Sequence, residues 1–233
     1  MNLVNRCVDC IFLTLILMPI QGCARDYSAK SIEAWVVDAE TGMPLVGANV
    51  VARWELSYGL EGGGAYQLQV MENVTDKKGR FFFPAWGPKE IPEHLPSRAR
   101  FQSNVDPEIV VFMSGYRAKH LSNDRPLSEF SGYGPAVRTS IWDGKTIQLS
   151  KFHGDINQYV LNIRDAQSGL FFVNRGNNCE WKLLPRMILT LTKEAKLLKE
   201  KNVSTQNFYI DSINALPNQA WCGSAQDFFK AYE

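Results

Sequence analysis

The sequence predicts a mainly β chain, a β-sandwich followed by a C-terminal α-helical extension, behind an export segment. Three observations carry that expectation. Between residues 31 and 121, short runs of β-branched and aromatic residues are broken by Gly and Asp turns, the pattern of a sandwich. From residue 155 onward the apolar period lengthens from two to between three and four, as in amphipathic helices. The first 22 residues hold an uncharged apolar run ahead of a cysteine and fit neither pattern.

Composition excludes several classes of function. With 233 residues, 45% hydrophobic and 21% charged, the chain is long enough for one sizeable core and too apolar to be disordered. Its 25 basic and 24 acidic residues leave a net charge of +1, too little to gather a phosphate backbone, so nucleic acid is not expected as a partner. His94, His120 and His153 lie in separate segments without ligand spacing, so neither a metal nor a cofactor is expected.

Residues 1–22 begin with a polar stretch containing Arg6, followed by a charge-free run over 10–20. About 20 apolar residues are needed to span a bilayer, so this shorter run reads as a cleaved signal rather than a permanent anchor. It ends in Ile20-Gln21-Gly22-Cys23, which resembles the lipobox of bacterial lipoproteins. That resemblance implies cleavage before Cys23, lipid on its sulfur and a membrane partner reached through that lipid. Acyl chains contribute about 0.8 kcal/mol per buried CH₂, enough when several are present to hold a soluble domain at a bilayer. Ala24, rather than Asp, after the cysteine implies sorting to the outer membrane. A plain secretory signal with a chance cysteine is the alternative. Of five cysteines, Cys7 and Cys10 would leave with the signal and Cys23 would carry lipid. Cys179 and Cys222 remain as an even pair, which in an oxidising compartment suggests a disulfide; two buried thiols are the alternative.

The mature chain reads as strands over 32–37, 48–56, 66–70, 80–83, 108–113 and 116–121. In the second, Val50, Ala52 and Trp54 alternate with Asn49, Arg53 and Glu55, which predicts one buried face. Asp38 to Gly42 and Thr75 to Gly79 suit tight turns. Asp38, Glu40, Thr41 and Asp76 have a second reading as a calcium site, but turn formation is the commoner use of such residues.

Two of these segments, Val37-Asp38-Ala39-Glu40-Thr41-Gly42-Met43-Pro44-Leu45-Val46-Gly47-Ala48-Asn49-Val50 and Thr75-Asp76 with Gly79-Arg80-Phe81-Phe82-Phe83, resemble the carboxypeptidase regulatory-like domain, and Gly115-Tyr116-Arg117 fits it as well. The resemblance implies a transthyretin-like Greek-key β-sandwich closed by residues 145–152. It implies no activity, because the domain serves as an accessory or structural module and a fold does not define a function. The expected organisation is a signal peptide over 1–22, a tether over 23–30, the sandwich with long loops over 31–152, and a helical extension over 153–233 packed on it.

Residues 86–107 and 122–144 read as long irregular loops rich in Pro and Gly, and such loops are often functional. Their aromatics Trp86, Phe130, Tyr133 and Trp142 are the candidate binding residues, a contact surface for glycan or protein. The plainer reading is that they staple the loops to the sandwich.

In the C-terminal part Asp155 caps a helix presenting Ile156, Tyr159, Val160 and Ile163 on one face. Pro185 opens a second helix whose stripe is Leu184, Ile188, Leu191, Ala195 and Leu198, with Arg186, Lys193 and Lys196 outside it. Ser224 to Asp227 forms a variant capping box before Phe228, Phe229 and Tyr232. No nucleophile elbow or phosphate loop is present, and nothing singles out a pair of carboxylates, whose partners can lie far apart in a chain. The expectation is therefore a non-enzymatic, lipid-anchored envelope protein that acts as a scaffold or interaction module for envelope proteins or, alternatively, as a carbohydrate-binding or adhesin module.

Overall fold

The computed structural model describes residues 26–59, 64–96, 99–101, 106–124, 137–175, 179–217 and 219–232. Within them the strands are β1 (Asp26–Ala29), β2 (Ile32–Asp38), β3 (Asn49–Tyr58), β4 (Gly64–Val74), β5 (Arg80–Phe83), β6 (Trp86–Glu90), β7 (Arg100–Phe101), β8 (Glu108–Phe112), β9 (Lys119–Leu121), β10 (Val137–Arg138) and β11 (Thr146–Leu149). The helices α1 (Ile156–Ser168), α2 (Phe172–Arg175), α3 (Pro185–Glu200) and α4 (Ala225–Phe229) follow. The chain is thus mainly β with helices at its C-terminal end.

The strands form three sheets, ordered β10-β1-β6, β11-β2-β5 and β4-β3-β8-β9, with β7 also paired to β3. β10 runs parallel to β1 and β11 parallel to β2; the other pairs are antiparallel. In β2 the side chains of Ile32, Ala34 and Val36 are buried while those between are half-buried, the period-two signature of a strand. Ala34 pairs with Phe81, and Phe81 and Phe83 turn inward while Phe82 faces out. The turn into β5 is built by Asp76, whose carboxylate accepts the N–H groups of Lys78 and Arg80. Gly79 follows with φ +71°, and an added Cβ there would lie 2.4 Å from the Val36 carbonyl, so only glycine lets this turn close against β2.

The sheet containing β3 is covered on both faces. Val50, Ala52, Trp54 and Leu56 join Ile109, Val111, Phe81, Ile147 and Trp86 in one core. Val51, Val70, Val110 and Phe112 point the other way, into a second core with Ile163, Trp181, Ile188, Leu191 and Phe229 from the helical part. The single buried face expected for β3 is corrected by this helical layer: even Arg53 is only 8% exposed.

The helices follow their local signals. Asp155 and Gln158 form a reciprocal capping box at the start of α1, satisfying two amides that have no partner inside the helix. Its buried face differs from the expected one, for Ile156 is exposed and Asn162, Ile163, Ala166 and Gln167 face inward. Asn162 and Gln167 can be buried because their amides act as strand partners. Asn162 accepts from the Ala118 N–H and donates to the Tyr116 carbonyl; Gln167 exchanges both bonds with the backbone of Ile210. At Gly169, just past α1, an added Cβ would meet Val110 at 2.6 Å and His120 at 2.9 Å, so the close approach of helix to sheet depends on its missing side chain. In α3 the stripe Ile188, Leu191, Ala195 and Leu198 is buried, with Leu184 ahead of it; each large apolar side chain contributes about 1.5–3 kcal/mol.

Cys179 and Cys222 form a disulfide that joins the approach to α3 to the approach to α4. Trp181 lies beside it, stacked on Phe229 and edge-on to Phe228. Several short strands lie where the sequence reads as loop. β1, β6, β7 and β10 are held by long-range pairing rather than by local pattern, and the run expected over 116–121 shortens to β9, with Tyr116 making an isolated bridge to Lys151.

Candidate functional site

The exposed side of α3 borders a shallow groove. The helix is set in place by two contacts from the sheet. Leu184 at its N-cap contributes no side-chain hydrogen bond. Glu72 of β4 acts instead, its carboxylate accepting the N–H groups of Arg186 and Met187 at 3.0 and 2.7 Å. One turn on, the Asn49 amide of β3 donates to the Thr190 hydroxyl at 3.0 Å. Burial pushes Glu72 up to about 7, against the two amides and the nearby Arg186 charge.

On the side away from the core, Arg186, Leu189, Thr190 and Lys193 form a shallow cavity of about 280 Å³ with Gly47, Asn49, Val74 and Tyr232. It adjoins a larger one of about 660 Å³, where Leu189, Lys193, Lys196 and Lys199 face Ser212, Ile213 and Tyr232. Leu189, Lys193 and Tyr232 border both, which makes one groove along the helix. The ring of Tyr232 sits 5.6 Å from the Arg186 guanidinium. Lys199 is paired with Asp211 at 2.8 Å, whereas Lys193 and Lys196 form no ion pair among the described residues. Cations therefore outnumber the single carboxylate along the lining, to which Leu189, Ile213 and Tyr232 add apolar surface.

Two other polar clusters serve the fold. On the helix-facing side of the sheet, Arg53 bridges Glu55 and Glu108 beneath the rings of Phe171 and Phe172. Burial pushes Glu108 up, but His120, with its Nδ1 3.8 Å away, and the Arg53 guanidinium prevail and hold it below the usual range. His120 is raised, first by Glu108 and against burial, and its Nε2 lies 2.7 Å from the Asp165 carbonyl. At one end of β2, Asp38 accepts the N–H groups of Glu40 and Thr41 and the Tyr116 hydroxyl. The Thr41 amide is the main reason its carboxyl lies well below the usual range. Asp38 is thus engaged by its own turn and by Tyr116, and Asp76 by its own turn, which connects a different pair of strands. Among the described residues no group of three or more His, Cys, Asp or Glu is arranged to hold a metal ion.

Of the aromatic residues proposed as a contact surface, Trp86 is only 8% exposed and packs edge-on against Trp54 at 5.5 Å. Trp142 is half-buried against the same core, and its indole N–H donates to the Ser122 carbonyl at 2.8 Å. These two indoles are stapled inward, which corrects their reading as exposed platforms; Trp86 belongs to a strand that the Gly and Pro around it concealed. Phe130, Tyr133, the lipidation candidate Cys23 and residues 1–22 lie outside the described residues. The basic groove itself was missed. Lys193, Lys196 and Lys199, spaced by three, carry its only sequence signal, and on α3 alone they read as an ordinary solvated face.

No family model matches the sequence, and no curated protein matches it. Among solved structures, a 3-chlorocatechol 1,2-dioxygenase from Rhodococcus opacus 1CP aligns over 58% of this chain and 64% of its own, at 16% identity and a TM-score of 0.32. A 9R-lipoxygenase from Cyanothece PCC8801 aligns over 84% of this chain and 30% of its own, at 14% identity and a TM-score of 0.27. The chain thus spans less than two thirds of the length of either. Both are enzymes, and the expectation that this chain is not one is corrected to that extent: the exclusion of catalysis is withdrawn. At these scores neither likeness transfers a reaction to this chain.

Proposed function

We propose that the chain is a lipid-anchored protein of the bacterial envelope that presents its sandwich and helical layer as an interaction module. The observation that carries this reading is the Cys179–Cys222 disulfide. Such bonds persist in oxidising compartments and are rare in the cytosol, so the bridge supports export. The Ile20-Gln21-Gly22-Cys23 sequence supplies the anchor on this reading, and Ala24 directs it to the outer membrane. Among the described residues no helix is long and apolar enough to cross a membrane.

We read the fold as a transthyretin-like Greek key of the carboxypeptidase regulatory-like kind. The pairing of β2 with both β5 and β11, and the shared core between that sheet and β3 and β8, support it. On this reading the signal covers 1–22 and the helical extension 153–233. The sandwich, expected over 31–152, begins earlier, because β1 pairs with β6 and β10 and buries Tyr27 and Ala29, so the tether expected over 23–30 shortens to the residues before Asp26.

Intact mass and membrane fractionation of the chain expressed in a Gram-negative host, beside Cys23→Ser, test the reading. A mature mass beginning at Cys23 with acyl chains, and loss of membrane association in the variant, is the expected result. An unlipidated, soluble wild-type chain would overturn the anchor.

A further inference from the structure

We propose that the groove along α3 docks an extended, acidic segment of a partner protein that carries apolar side chains between its carboxylates. This deepens the interaction-module reading and rests on it for its setting, while the groove can be tested apart from the anchor.

The first argument is charge. Arg186, Lys193, Lys196 and Lys199 line the groove and Asp211 is the one carboxylate facing them, already engaged by Lys199. On a chain whose net charge is only +1, this is a local excess that an anionic partner would complement. The second is the apolar part of the same lining. Leu189 and Tyr232 run through both halves, Ile213 adds to one and Val74 to the other. A purely ionic ligand would leave these surfaces wet, whereas alternating acidic and apolar side chains satisfy both; tyrosine and arginine are also common anchors at interfaces.

Shape chooses between a peptide and a membrane. The groove is a shallow trough with α3 along one side and Tyr232 with the 211–213 segment along the other, a shape that suits a narrow chain segment better than a broad lipid surface. From Arg186 to Lys199 the helix advances about 20 Å at its usual rise, the length of about six extended residues. Glu72 and Asn49 hold the α3 backbone against the sheet, so the helix that carries the lining is in place before a partner arrives and only exposed side chains such as Lys193 and Lys196 are left to be ordered.

The test uses the full chain in a neutral detergent, titrated into a fluorescein-labelled peptide alternating Glu with Leu and Phe and read by anisotropy. Lys193→Glu with Lys196→Glu changes exposed positions of the groove, and Lys77→Glu with Lys78→Glu makes the same change of net charge in the exposed turn before β5. Saturable binding that weakens at least about tenfold in the groove variant and stays near wild type in the turn variant is the expected result. Circular dichroism of both variants shows whether they fold alike. No saturable binding by the wild type, or equal affinities in the two folded variants, would overturn the proposal. So would a groove-dependent response to soluble short-chain phosphatidylglycerol in place of the peptide, which would assign the groove to lipid headgroups. Lipidation at Cys23 is read by mass, so failure of the anchor and failure of the groove are distinguishable.

Discussion

Glu72 caps α3 from outside the helix: its carboxylate lies 2.7 Å from the amide nitrogen of Met187, a residue 115 positions away in the chain. The strand thereby supplies what Leu184, at the N-cap, lacks. The cap fixes the helix whose other side lines the basic groove, so one half-buried acid links the sheet to the candidate site.

That acid makes stability depend on pH. Burial raises Glu72 to about 7 in the folded chain, against an ordinary value of 4.5. Between those values the folded chain keeps a proton that the unfolded chain has lost, so this group's contribution to stability falls as pH rises from 4.5 to about 7 and is level above it. Glu72→Gln removes that slope. Melting temperatures of both proteins from about pH 4 to about pH 8 check it, and parallel curves would refute the assignment.

Asp106 and Arg138 form a buried bidentate ion pair, and the Arg138 guanidinium also lies 5.0 Å from the Phe101 ring. Burial raises Asp106 to about 6 although Arg138 opposes it. Asp106→Asn removes the carboxylate facing a guanidinium that stays buried, and is expected to destabilise the chain by about 3–5 kcal/mol at neutral pH. Denaturant unfolding measures the loss; a change under about 1 kcal/mol would show that the pair is solvated.

The disulfide closes a loop with a sequence separation of 43. Loop-closure entropy for that length corresponds to about 4 kcal/mol, so Cys179→Ser is expected to lower stability by about that amount. Wild type in reductant should fall to the level of the variant, whereas a variant as stable as the oxidised protein would show that the helical layer does not need the bridge.

Gln167 holds the 210 segment as a strand would, through both backbone groups of Ile210. Gln167→Leu fills similar space and leaves two buried groups without their partner, at about 1–3 kcal/mol each. Hydrogen exchange at the Ile210 amide should quicken more than exchange at Val50 in the sheet. Equal protection in both proteins would exclude this role.

The sequence by itself determined what is local. The Asp76 turn, the Asp155 cap, the start of α3 at Pro185 and the apolar stripe of that helix each depend on hydrogen bonds or periodicity within a few residues, and the structure has them all. Counting cysteines singled out the partners of the disulfide. Tertiary structure alone decided which faces are covered. β3 reads as one-sided because Arg53 and Glu55 are charged, yet Arg53 is buried under α2, where Glu55 and Glu108 neutralise it. Asn162 and Gln167 read as the polar side of α1, yet they face inward because distant backbone groups need their amides. Trp86 reads as a loop aromatic until β6 pairs with β1 and seats it against Trp54. The groove was invisible for the same reason. Lysines on one helix face are a solvated surface until Tyr232 and Ile213 arrive from elsewhere in the chain to form the opposite wall, and periodicity carries no information about such distant neighbours.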